Sequence, residues 1–134
     1  MRYLLDVNAL LALGVMPHIF HSRVAHWLRH VNRLQAPELL TCSITELAFV
    51  RISSSAPIYG FTVPQAMAVL ERLKRERKYR FSFIPDILEM SQMPKWVAFP
   101  KQLTDGHLAG LANAHGAVLA TLDVGIPGAF LIPN

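Results

Sequence analysis

The chain has a single cysteine, Cys42, so no internal disulfide can hold it together. Its apolar setting marks Cys42 as a small core residue and not a nucleophile. No apolar run reaches the roughly 18 residues of a membrane span, so no membrane association is expected. No signal peptide precedes the first strand, and a cytoplasmic location is the expectation. Charge is sparse, at 16% of residues against 52% hydrophobic, a balance that excludes a disordered chain and allows a sizeable core. A length of 134 residues suits one domain, spanning 1–134.

Acids are scarcer than bases. Nine Asp and Glu face thirteen Lys and Arg, giving a net charge of +4 and a pI of about 9.6. That balance favours an acidic partner such as nucleic acid. Six of the thirteen bases lie between Arg72 and Arg80. They are read equally well as a track for an RNA backbone or as cations at a helix end, where the dipole favours them.

The apolar pattern alternates between strand and helix. Tyr3, Leu4, Leu5 and Val7 read as a buried strand that runs out at Asp6. Asn8 to Gly14 is a short helix, stopped by Gly14 and Pro17. Phe20, Val24, Trp27, Leu28 and Val31 share one face of a helix over 19–31. Leu39 to Cys42 is a second strand. Ser43 and Glu46 match a capping box at the start of the next helix, which is expected to give way to a loop at Ser53 to Pro57. Thr62 and Gln65 match a second box, opening an amphipathic helix to about Lys78. Phe81 to Ile84 is a strand closed by Pro85. One helical turn is expected over Ile87 to Met90, and an irregular loop from Ser91 to Gln102. Thr104 is expected to cap a helix beginning at Asp105 and ending at His115 and Gly116. Ala117 to Leu122 is a strand ending at Asp123, and Ala129 to Ile132 is the last. Short apolar strands alternating with helices imply an α/β fold, a central mostly parallel sheet with helices on both faces.

Four of the nine acids then occupy equivalent places. Asp6 and Asp123 end strands; Glu46 and Asp105 lie in the first turn of helices. In an open parallel sheet these positions form one rim, where ligands bind. Each acid has a structural reading: Glu46 as the partner of Ser43, Asp105 as a complement to the helix dipole, Asp123 as a turn residue. Asp6 resists one, because its neighbours are so apolar. Together, four like charges would repel and raise one another's pKa values unless a cation joined them. Oxygen ligands without Cys or His at zinc spacing point to Mg²⁺ or Mn²⁺. With a basic chain, that suggests metal-dependent cleavage of a nucleic-acid phosphodiester.

Asn8 and Thr121 lie near the rim and are candidates to orient a carboxylate or a metal-bound water. A helix-cap role for Asn8 stands beside that one. Arg51, beyond Glu46, is a candidate phosphate contact or a surface ion pair. His18, His21, His26 and His30 lack accompanying carboxylates and are assigned to solvent or packing. His107 and His115 are weaker candidates still.

The residues resemble those of the PIN-domain ribonucleases, and among them the VapC-type toxins of toxin–antitoxin pairs. The matching pieces are Leu4 to Leu13 (LLDVNALLAL), His18 to His21 with Ala25 to Trp27, Cys42 to Arg51 (CSITELAFVR), Leu103 to Ala112 (LTDGHLAGLA) and His115 to Asp123 (HGAVLATLD). They occur in family order over nearly the whole chain. The resemblance implies a PIN-like three-layer α/β/α sandwich and a Mg²⁺- or Mn²⁺-dependent endoribonuclease. It implies that Asp6, Glu46, Asp105 and Asp123 form the acidic cluster, with Asp6 and Asp105 direct metal ligands and the other two acting partly through water. It also implies a homodimer, an RNA substrate and a small antitoxin protein that occludes the site. Gly106 departs from the pattern, since such toxins more often carry Ala there; it is expected to loosen the helix start. A phosphohydrolase of the haloacid-dehalogenase type also begins with a strand ending in Asp, but needs a second Asp where Asn8 stands. A non-catalytic RNA- or protein-binding module on the same fold is the remaining alternative.

Overall fold

A computed structural model describes all residues from Met1 to Asn134. The strands are β1 (Arg2–Leu5), β2 (Glu38–Thr41), β3 (Arg80–Phe83), β4 (Val118–Thr121) and β5 (Phe130–Leu131). The helices are α1 (Val7–Gly14), α2 (His21–Leu34), α3 (Ser43–Ser55), α4 (Val63–Arg75) and α5 (Leu103–Ala114). Short 3₁₀ turns at Met90–Gln92 and Pro100–Gln102 punctuate the long connection into α5.

All five strands are parallel, in the order β3-β2-β1-β4-β5. The first three strands step outward in one direction from β1. The chain then returns to the far side of β1 to lay down β4 and β5. Right-handed crossovers make that reversal move the connecting helix to the opposite face. The burial pattern shows it. Tyr3, Leu5, Leu39 and Ala120 pack with α1, α2, α3 and α4 around Leu10, Trp27, Leu28, Phe49 and Leu70. Their strand neighbours Leu4, Leu40 and Leu119 point the other way, against Leu108, Leu111 and Ala112 of α5. Residues one apart on a strand face opposite sides, so both faces need apolar side chains and the strands read as continuous apolar runs. Cys42 is fully buried, and Trp27 packs edge-on against Tyr3 in the core.

Several boundaries differ from the sequence reading, each for a local reason. Asp6, not Asn8, caps α1: its Oδ1 accepts the Ala9 N–H at 2.8 Å, while Asn8 is exposed. Ser43 is not the cap of α3. The cap is Cys42, and Thr45 completes the box by accepting the Cys42 N–H. Glu46 is thereby free of any capping duty. The serines at 53–55 continue α3 instead of ending it, because Ser53 and Ser54 each donate to a carbonyl four residues back, at 2.6 Å. The Thr62–Gln65 box forms as expected. Helix α4 stops at Arg75, three residues short of Lys78. The turn expected over Ile87 to Met90 forms at Met90–Gln92 instead. Helix α5 starts at Leu103, so Thr104 lies inside it and is no cap.

Gly106 also has a positive role. A Cβ there would stand 2.2 Å from Val97 Cγ2 and 3.1 Å from Met93 Sδ. The residue is buried, and its missing side chain is what lets the connection before α5 lie flat on the helix.

Candidate active site

The strand order reverses between β1 and β4. In open parallel sheets that reversal opens a crevice at the carboxyl ends of the two strands, and ligands bind there. Asp6 follows β1 directly, and Thr121 and Asp123 stand at the end of β4. Asp105 enters from the first turn of α5.

Asp6 is 3% exposed. Burial pushes its carboxyl up to about 6, and the charges of Asp123 and Asp105 push in the same direction. The hydrogen bonds from Thr121 and from the Ala9 N–H pull the other way without winning. Asp105 is also raised, chiefly by burial and then by Asp123. Three of the four predicted acids therefore feel one another across the crevice. Thr121 ties two of them together: its hydroxyl donates to Asp6 Oδ2 and accepts the Asp123 N–H at 3.0 Å.

Glu46 is held differently. Its Oε2 accepts from Lys74 Nζ of α4 at 2.7 Å and from the Thr41 hydroxyl. It is not among the charges that raise Asp6 or Asp105. The structure brings Glu46 to the rim, beside the end of β2, but turns it toward α4.

The weaker candidates separate. Asn8 is exposed on α1, and Arg51 is exposed on α3 without an ion pair. The basic run divides as well: Lys74 pairs with Glu46, Arg75 with Glu71 and Lys78 with Glu76, leaving Arg72, Arg77 and Arg80 exposed without an ion pair. His26 and His30 are exposed, and no three His, Cys, Asp or Glu side chains stand together at metal-holding distance.

One polar pair escaped the sequence reading. Asp86 Oδ2 lies 2.6 Å from Nε2 of the buried His107. Burial raises the Asp86 carboxyl, but the bonds from His107 and the Leu88 N–H outweigh it and leave the carboxyl below its ordinary value. An ionised Asp86 makes Nε2 the donor. The pair joins the segment after β3 to α5, and lines a cleft of about 360 Å³ with Ile44, Met90, Leu103 and Thr104. The signal was there to find: β3 also ends in an acid, one proline later, as β1 and β4 do.

The residues suit a hard divalent cation in their chemistry. Every candidate donor is a carboxylate oxygen, and the neighbouring acids disfavour the ionisation of Asp6 and Asp105, a conflict that a cation removes. As placed, the side chains do not close around such an ion.

No protein-family model matches the chain. Individual proteins do. Ribonuclease VapC38 of Mycobacterium tuberculosis is 35% identical over 125 residues, covering 92% of this chain and 86% of the relative. Ribonuclease VapC44 of the same organism is 36% identical over 139 residues, covering 96% and 94%. Among solved structures, VapBC2 from Rickettsia felis, crystallised with a DNA fragment from its promoter, superposes with a TM-score of 0.64. That match covers 98% of this chain and 97% of the other at 18% identity, and shows the PIN-like α/β/α fold. With identity at this level over nearly their whole length to VapC38 and VapC44, the chain belongs to the VapC ribonuclease family.

Proposed function

We propose that this protein is a Mg²⁺- or Mn²⁺-dependent endoribonuclease, the toxin of a toxin–antitoxin pair. The observation that carries the reading is the convergence of Asp6, Asp105 and Asp123 at the β1/β4 crevice, with Asp6 buried and its carboxyl raised to about 6. A buried carboxylate beside two others is costly to a metal-free fold, and binding a cation removes that cost.

Asp6, Asp105 and Asp123 would hold the metal, with Glu46 at its margin. A bound ion would supply charge neutralisation for the RNA phosphate and a more acidic water. Thr121 keeps Asp6 and the Asp123 backbone in register by hydrogen bonds to both. The Leu4 and Leu5 floor, both fully buried, keeps Asp6 from turning to solvent. Arg72 and Arg77, unpaired and exposed, are candidates to hold the RNA backbone, as is Arg51. Asn8 is exposed at the start of α1, available to a bound substrate.

The partners that follow are an RNA substrate, a cognate antitoxin and a second copy of the chain. The VapC names of the relatives and the VapBC neighbour support the antitoxin. No helix is long and apolar enough to cross a membrane. The test is to induce the parent and Asp105→Asn separately in cells and map RNA cleavage sites. Discrete new 5′ ends should appear with the parent alone. The same ends with both proteins would refute the assignment.

A non-catalytic binding module is the second reading, and the open placement of the acids, which do not close around an ion, favours it. Titration with Mn²⁺ separates the two. A parent that binds RNA but no Mn²⁺ or Mg²⁺ is the module.

A further inference from the structure

Lys74 had no separate place in the basic run read from sequence, yet it is the one cation of that run bound to a predicted site acid. Its Nζ sits 2.7 Å from Glu46 Oε2, with the two side chains 23% and 22% exposed. The ammonium also lies 5.8 Å from the centre of the Phe83 ring, at the end of β3. The Thr41 hydroxyl donates to the same Glu46 oxygen from the end of β2. Two donors from two elements thus fix one carboxylate oxygen, and an aromatic face backs the stronger of them. The Arg75–Glu71 pair one residue on is by contrast a surface contact, with side chains 82% and 58% exposed.

We infer that Lys74 is the positioning residue for Glu46, holding its carboxylate toward α4 and out of the metal's inner shell. The inference rests on the metal-dependent reading above. Two observations support it. Glu46 is paired while Asp6, Asp105 and Asp123 are not paired to any cation. The ammonium is itself an obstacle, since a divalent ion drawn to Glu46 would have to displace it or tolerate its charge. Lys74 would therefore compete with a cation for the fourth acid.

The experiment is calorimetric titration of Mn²⁺ into the full chain, free of RNA, for the parent, Lys74→Met, Lys74→Arg, Glu46→Gln and the Lys74→Met/Glu46→Gln double variant. Circular dichroism melting of each variant checks that it is folded. Losing a competing ion pair of this kind should tighten Mn²⁺ binding in Lys74→Met by on the order of fivefold. Lys74→Arg keeps the cation and should bind as the parent does. Glu46→Gln should stay close to the parent, and the double variant should bind no tighter than Glu46→Gln alone, which a general loss of structure or of positive charge would not produce. Equal or weaker binding by folded Lys74→Met, or a gain that persists without Glu46, overturns the role of Lys74 while leaving the metal reading intact. A parent that binds no Mn²⁺ overturns both.

Discussion

The Thr121 hydroxyl makes two bonds at once, donating to Asp6 Oδ2 and accepting the Asp123 N–H. One side chain thus joins the ends of β1 and β4 where the strand order reverses. Thr121→Val keeps the shape and removes both bonds. It leaves a buried carboxylate oxygen and a backbone N–H without partners, at a cost of about 1–3 kcal/mol in stability. RNA cleavage should fall by about 10- to 100-fold, as is usual when a group that orients a metal ligand is lost. Thr121→Ser should retain most of both. Urea unfolding and a cleavage time course check the two effects separately.

Asp6 carries a stability cost that can be measured without metal. Its carboxyl is raised from 3.8 to about 6 in the fold. The folded chain therefore holds a proton that the unfolded chain has released, so stability falls as pH rises from about 4 to about 6 and levels off above. Asn keeps the capping geometry at Ala9 and removes the charge. Asp6→Asn should be more stable than the parent at pH 7 by on the order of 2 kcal/mol, and this part of the pH slope should vanish. Chelator-treated protein melted at pH 4, 5, 6 and 7 gives the comparison. A variant less stable than the parent at pH 7 would contradict it.

Gly106 makes a prediction opposite in sign to helix propensity. Ala is the better helix former by about 1 kcal/mol. Its Cβ, however, would meet Val97 Cγ2 at 2.2 Å, and overpacking of that kind costs about 1–3 kcal/mol. Gly106→Ala should therefore lower the melting temperature. Gly106→Ala with Val97→Ala should recover most of the loss. A single variant that melts higher than the parent would show that the segment before α5 does not pack as described.

The Asp86–His107 pair holds that same segment at its other end. His107→Leu removes the donor and leaves Asp86 alone beside α5. With Asp86 one-quarter exposed, the cost should be modest, about 1 kcal/mol. The larger effect should be local. Limited proteolysis should cut within 87–102 several-fold faster than in the parent while the core strands stay protected. Equal cutting rates would show that the pair does not hold the segment.

The alternating sheet was legible because Leu4, Leu5, Leu39, Leu40 and Leu119 form runs that only a two-sided parallel strand explains. The rim acids were legible through their places at strand ends and helix starts. Glu46 shows where such reading stops. Its position follows from the run Cys42 to Glu46, but its direction depends on Lys74, 28 residues away on a different helix. The caps failed for a related reason. Ser43 and Thr104 have the right chemistry, yet a shift of one residue in the first helix start hands the role to Cys42, and a shift of two in the second leaves the end uncapped at Gln102. Gly106 looked like a weakness because the side chain it makes room for, Val97, lies in a segment whose pattern carries no period.

The central claim is that the acids at the β1/β4 crevice cut RNA through a divalent ion. The most direct measurement is cleavage of a single-stranded RNA by purified parent and Asp6→Asn, with Mn²⁺ and with EDTA. The parent should cut with Mn²⁺ alone, and folded Asp6→Asn should be slower by about 10³-fold or more, the scale of losing a central electrostatic group. Undiminished cleavage by Asp6→Asn, or by the parent in EDTA, would contradict the account.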